Sequence, residues 1–176
     1  MSQLSGCALR PMSSTDLPLV LSWRNHPDIR CWMYTGREIS PQEHAQWYER
    51  VSRDNMRSLL IFECDKEARG FVNIHRVADW GLAEWGFYAA PSAMKGTGRA
   101  LGVIALDYVF NTLKLHKLCG EVISNNTRSL RLHEFLGFKR EGVLREQHFD
   151  GERYWDVYRF GLLASEWRSI CTGKNL

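Results

Sequence analysis

The sequence predicts an α/β (α+β) fold on a mixed, mostly antiparallel sheet of about seven strands with helices on both faces, and three observations carry that expectation. A strand, an amphipathic helix and another strand follow one another across residues 84 to 124, which makes one βαβ unit. Three strand-like segments lead into it, the last being the unit's own first strand; they are rich in Ile, Leu, Phe, Val, Trp and Tyr and separated only by glycine or charge clusters, as in an antiparallel meander. A long hairpin pattern follows it and turns at Asp150-Gly151. No repeat, low-complexity tract or Pro/Ser-rich linker divides the chain, so residues 1–176 are expected to form one domain.

Taken in order, Cys7 to Met12 reads as a short strand, and Ser13 or Ser14 caps a helix to about Trp23 with Leu17, Val20 and Leu21 on one face. That helix ends at Asn25-His26-Pro27. The next start is stronger: Ser40-Pro41-Gln42-Glu43 combines a capping serine, a proline in the first helical position and a glutamate that completes a capping box, for a helix to roughly Ser52. Ser58 to Glu63, Gly70 to Val77 and Leu82 to Ala89 are the meander strands. From Gly98 the period changes, with Leu101, Ile104, Ala105 and Tyr108 on one helical face to about Leu113. Leu118 to Ser124 is a strand, Thr127 to Leu136 a helix stopped by Gly137, and Phe138 opens the hairpin. Ala164 to Ile170 reads as a last helix.

Composition limits the function classes. An apolar fraction of 44% supports a real core, while 24% charged residues and a formal charge of +3 demand no nucleic-acid partner and suit a phosphate-rich small ligand. The five cysteines are scattered, without C-x-x-C or zinc-type spacing, and read as buried thiols of a reducing compartment, with no metal site. No leader-like segment opens the chain and no apolar run approaches the about 18 residues of a membrane span, so a soluble, cytoplasmic protein is expected.

Lys95-Gly96-Thr97-Gly98-Arg99-Ala100 lies between a strand and the start of the amphipathic helix. Glycines there let backbone N–H groups converge, and the helix start adds partial positive charge, so the turn suits pyrophosphate, with Lys95 and Arg99 assisting. An ordinary glycine turn is the alternative. The pattern is neither G-x-x-x-x-G-K-[ST] nor a full G-x-G-x-x-G.

The turn resembles the Q/R-x-x-G-x-G/A acetyl-CoA signature of the GNAT superfamily, with Lys95, Gly98 and Ala100 in the first, fourth and sixth positions. Asn126 to Phe138 resembles the superfamily's N-x-x-S…G-F helix. The resemblance implies an N-acetyltransferase that uses acetyl-CoA, held by Phe87, Tyr88, Ala89, Lys95, Gly96, Thr97, Gly98, Arg99, Ala100, Leu101, Asn126 and Ser129. It further implies a bulge in Glu84 to Ala89 that splays this strand from Leu118 to Ser124, and a freed N–H near Tyr88 for the thioester oxygen. Trp23-Arg24-Asn25-His26-Pro27, Trp32-Met33-Tyr34 and Ser40 to His44 resemble the branch that acetylates a nucleotide-linked amino sugar in pseudaminic acid biosynthesis. A homodimer accords with the superfamily.

Four catalytic candidates follow. Glu121 sits mid-strand among apolar residues, where the superfamily places a glutamate that accepts the ammonium proton; a salt-bridged strand carboxylate is the plain alternative. His133 stands where many members have a tyrosine that protonates the leaving thiolate, and its plain alternative is a packing residue. Tyr88 would pack beside the reacting centre, and Asn73 on the neighbouring strand would reach the acceptor. Arg24 and His44 are candidates for the uridine diphosphate, against surface capping and ion pairing. Met33 and Tyr34 would line the sugar or base pocket, and His75 and Arg76 would reach the acceptor. Other acceptors remain open: a protein N-terminal amine of the ribosomal type, or none, if the chain only binds acetyl-CoA.

Overall fold

In the computed structural model, which describes residues 6–174, the strands are β1 (Cys7–Pro11), β2 (Arg57–Cys64), β3 (Glu67–Ala78), β4 (Leu82–Ala89), β5 (Lys117–Ile123), β6 (Lys139–Phe149) and β7 (Tyr154–Leu163). They form one sheet in the order β1-β2-β3-β4-β5-β7-β6. Only the β4–β5 pair is parallel, as the βαβ reading requires. The helices are α1 (Leu17–Asn25), α2 (Pro27–Arg30), α3 (Pro41–Val51), α4 (Thr97–Asp107), α5 (Thr127–Phe135) and α6 (Ala164–Lys174).

Local chemistry sets the element boundaries. Ser40 Oγ accepts the Glu43 N–H at 3.2 Å while the Glu43 carboxylate accepts the Ser40 N–H at 3.0 Å, closing the box that starts α3. The start of α1 is a 3-10 turn, Ser14–Asp16, anchored by the buried Asp16, which accepts the Ser13 N–H and pairs with Arg10 through two 2.7 Å bonds. Arg10 and these bonds hold the Asp16 carboxyl at about 2. Pro27, read from sequence only as a stop, also begins α2, because its fixed φ suits the first helical position and His26 Nδ1 accepts the Asp28 N–H. α4 closes in a π turn, Tyr108–Thr112, and Lys114 at φ 55° ends it. Gly137, at φ 91°, stops α5.

Two apolar layers cover the sheet. On one face Phe62, Val72 and Ile74 meet Leu101, Ala105 and Leu106 of α4, together with Trp167 of α6. Leu59, Ile61 and Phe71 point the other way, as the two-residue period of a strand dictates, and meet Val20 of α1 and Val51 of α3. No helix of the described residues is long and apolar enough to cross a membrane.

Two expectations are corrected here. The cysteines are not all buried thiols: Cys7 and Cys64 form a disulfide across β1 and β2, and Cys31 is exposed. The two bonded cysteines are 57 positions apart, and only the strand register sets them opposite one another. The Leu101 side chain is wholly buried in the core, so its side chain does not reach a ligand. Leu101→Ala is expected to destabilise the protein by about 2–5 kcal/mol, through lost apolar burial and the cavity left behind. Urea denaturation at neutral pH measures this loss.

Candidate active site

The site is a gap in the sheet. β4 and β5 pair through Leu82–Lys117, Ala83–Leu118 and Glu84–Cys119 and then part, although β4 continues to Ala89 and β5 to Ile123. Between them opens a cavity of about 910 Å³ lined by Trp85, Phe87, Gly120, Glu121, Asn126 and His133 among others. The register of β4 on β3 is unbroken from Glu84 to Ala89, so the expected bulge is absent; the irregularity lies at Arg76 to Ala78. The gap opens because β5 follows β7, with which it pairs along its whole length.

This regular register also reassigns the freed amide. The Ala90 N–H bonds the Arg69 carbonyl at 2.8 Å, which fixes the phase of the ladder. By alternation, the Tyr88 N–H faces β3, whereas those of Phe87 and Ala89 face the gap. The amides free to serve as the donor expected near Tyr88 are therefore those of Phe87 and Ala89.

At the mouth, Gly96 takes φ 100° and caps α4, its carbonyl accepting the N–H groups of Arg99 and Ala100. The Thr97 N–H turns back to Met94, while the Gly98 N–H lies in the first turn, where a helix offers no acceptor. A Cβ on Gly98 would meet only Leu132, at 3.7 Å, so the turn is open. Lys95 and Arg99 are exposed, and the Arg99 guanidinium lies 4.4 Å from the centre of the Phe135 ring. Asn126 Oδ1 caps α5 through the Ser129 N–H at 3.0 Å, which leaves its amide nitrogen for a ligand. Asn126 and Ser129 both line the gap.

On the other face, residues 31–39 are fastened over the gap. Asn25 grips Ile39 through both backbone groups, at 2.8 and 2.9 Å, and Arg24 Nη2 donates to the Thr35 carbonyl at 2.6 Å. The pairs Arg30–Glu38 and Arg37–Glu43, each 2.6 Å, hold the flanks. The segment delivers the Tyr34 hydroxyl to Glu121 Oε2 at 2.6 Å, while Arg159 Nε donates to Oε1 at 2.9 Å. Glu121 is therefore exposed and paired, not buried alone as its apolar sequence neighbours suggested; the β5–β7 register sets Arg159 beside it. Partial burial, then the carboxylate it faces, raises the Tyr34 phenol's pKa, so it remains a donor.

Arg24, His44 and Tyr88 come together behind this segment. Burial lowers the His44 pKa, with Arg24 adding to the effect, and burial raises that of Tyr88. Arg24 Nη1 is buried without a protein partner. Met33 packs on Trp23, Ile29 and Ala90. Asn73 Oδ1 is likewise buried and unpartnered, strand-opposite Gly86 at the gap, and His75 stands opposite Glu84. Arg76 does not join them: it bonds the Asn55 carbonyl beside a separate cavity. A further chamber of about 820 Å³ shares Trp32, Met33, Tyr34 and Ile123 with the gap and adds Arg30, Arg37, His148 and Trp155.

His133 is only 2% exposed, stacked on Phe160 and edge-on to Trp85 and Phe138. Burial lowers its pKa from 6.5 to about 4, so it is neutral at neutral pH and no reservoir of imidazolium for protonating a thiolate. Sequence reasoning missed Arg159, Gly120 and Trp85, which reach the gap through strand register alone. Among the described residues no group of three or more His, Cys, Asp or Glu could hold a metal ion.

Comparison with known proteins accords with this geometry. Residues 7–139 match the family described as the acetyltransferase (GNAT) domain. The spermidine N(1)-acetyltransferase of Vibrio cholerae is 31% identical over 170 residues, 93% of this chain and 96% of that protein. The acetyltransferase PseH of Campylobacter jejuni (serotype O:2) is 31% identical over 124 residues, 70% of this chain and 76% of its own. The solved structure of the V. cholerae spermidine N-acetyltransferase in complex with CoA and spermine superposes with a TM-score of 0.87 at 30% identity, covering 93% of this chain and 99% of that one.

The buried imidazole makes stability depend on pH. Between 6.5 and about 4 the unfolded chain takes up a proton at His133 that the folded protein refuses. The contribution is fully present above the unfolded value and is lost as pH falls toward the folded one, at about 1.4 kcal/mol per pH unit within that window. His133→Phe is expected to flatten this acid loss in urea denaturation series; equal slopes for both proteins would contradict it.

Proposed function

The chain belongs to the GNAT acetyltransferase family, acyltransferases that use acetyl-CoA, and from that premise we propose that its acceptor is the 4-amino group of a UDP-linked 4-amino-4,6-dideoxy sugar of the pseudaminic acid route. The observation that carries this reading is the chamber joined to the gap, whose aromatic residues Trp32 and Trp155 suit a base and whose Arg30 and Arg37, each paired with one glutamate, retain further N–H donors for a diphosphate. The buried, unpaired Nη1 of Arg24 beside His44 supports it, because a half-buried guanidinium without a counter-ion favours an anionic guest.

Bound acetyl-CoA supplies an activated acetyl thioester. The residues fit it: the Gly96–Ala100 turn and the start of α4 suit pyrophosphate, and the gap offers unpaired strand amides to a pantetheine arm. In the proposed mechanism the Phe87 N–H donates to the thioester oxygen as charge builds on it. Glu121 takes the proton of the attacking ammonium, directly or through a water; its bonds from Tyr34 and Arg159 leave about two of its four lone-pair sites. Asn73 Oδ1 accepts from the acceptor. Alignment of amine and thioester in one ternary complex supplies much of the acceleration.

A polyamine acceptor is the second reading. Glu84, Glu121 and Glu141 line the gap and would attract a polycation, and the spermidine acetyltransferases cover more of this chain than PseH does. Against it, Arg159 and Lys117 already pair with two of the three. Self-association belongs to the proposal too, since a dodecameric structure exists of the V. cholerae relative.

Thiol release from acetyl-CoA, measured in parallel with the UDP-4-amino sugar, spermidine and a ribosomal-protein N-terminal peptide, tests the acceptor. Selective turnover of the sugar is expected; selective turnover of spermidine or the peptide would replace it, and cofactor binding without turnover of any amine would leave only a binding module. Glu121→Gln is expected to lower kcat by about 10²–10⁴-fold. Activity retained in that variant would remove Glu121 from the mechanism.

A further inference from the structure

Two buried polar atoms at the floor of the gap take no part in the chemistry above. Trp85 Nε1 and His133 Nε2 are shielded from solvent, and neither has a hydrogen-bond partner within the protein. Gly120, the first β5 residue beyond the last β4–β5 pair, lies between them. A Cβ on Gly120 would come within 2.8 Å of each atom. Their separation is therefore no more than two hydrogen bonds laid end to end, and a side chain at 120 would collide with both.

Their polarities are fixed and opposite. An indole N–H only donates. His133 Nδ1 lies 2.9 Å from the Ser129 carbonyl, which only accepts, so the ring proton resides on Nδ1 and Nε2 presents a lone pair. Neither ring is free to turn aside. Trp85 stacks on Phe138 at 5.4 Å, and His133 is wedged between Phe138 and Phe160. A donor and an acceptor that share one small space call for a guest that accepts once and donates once, and leaving both unmet is costly in a buried site.

We infer that a water molecule sits over Gly120, accepting from Trp85 Nε1 and donating to His133 Nε2, and that its second O–H faces the gap as a hydrogen-bond donor to the thiolate released in acetyl transfer. The role given to the water rests on the acetyl-transfer reading; the water site itself does not. Water meets both bonds and keeps one hydrogen for the gap. Trp85 and His133 are then positioning residues, and the neutral state of His133 is what the arrangement requires. Glycine at 120 lets both nitrogens come this close to β5.

The test uses the intact chain. A high-resolution crystal structure of the wild type is expected to show a water within about 3 Å of both nitrogens. Gly120→Ala and Trp85→Phe, the first pushing a methyl group against both nitrogens and the second deleting the donor, are each expected to lose that water. Both should lower kcat for thiol release by about 10- to 100-fold while the acetyl-CoA KM stays within about twofold. The ¹⁵N resonance of His133 Nε2 should move downfield in both as its lone pair loses a hydrogen bond. If Gly120→Ala does not fold, Trp85→Phe alone decides. A dry site in the wild type, a substrate hydroxyl in place of the water, or loss of the water at unchanged kcat would each overturn the inference. A bound water in an enzyme that releases no thiol with any amine would uphold the site and overturn the transfer reading instead.

Discussion

The chemistry of this protein depends on a backbone pairing that stops. After Glu84 and Cys119, β4 stays with β3 and β5 stays with β7, so two adjacent strands of one sheet diverge with their inner edges unpaired. Backbone N–H groups left without a ladder partner must find another acceptor, and a guest laid between the strands provides one. The same divergence leaves Gly120 and Trp85 lining the gap from one face and Glu121 from the other. Because β4 remains regular against β3, alternation alone decides which amides face the opening.

The second constraint is the strapping of residues 31–39 across the Glu121 face of the gap. Trp23 lies in a small apolar cluster, Arg24 and Asn25 bond the segment's backbone, His26 caps α2 and Pro27 begins it. Each residue of that five-residue run thus has a structural task, and Arg24 retains a buried nitrogen beyond its own. Tyr34 completes the strap by bonding Glu121 from above while Arg159 holds the other oxygen. The carboxylate is oriented by two donors from elements far apart in sequence, and this preorganisation costs nothing further when substrate arrives.

Much of the fold was legible in the sequence because local signals agreed: the Ser40 box, the spacing of Leu101, Ala105 and Tyr108, and the glycine after Leu136 each mark an element where the structure has one. What escaped was register. The opposition of Cys7 to Cys64, of Glu121 to Arg159 and of Gly120 to Trp85 depends on which residues face each other across strands, and no local pattern encodes that. Glu121 looked buried because its sequence neighbours are apolar, yet alternation turns it away from them into the gap. His133 looked titratable near neutrality until its aromatic cage was visible.

Residue-resolved amide hydrogen exchange of β4, with and without coenzyme A, tests most directly whether the divergence of β4 and β5 makes the cofactor site. The account predicts that the Phe87 and Ala89 amides exchange rapidly in the free protein and become protected when coenzyme A is added, while the Tyr88 amide, paired with β3, is protected in both states. Unchanged exchange at Phe87 and Ala89 under saturating coenzyme A would contradict it and move the cofactor out of the gap.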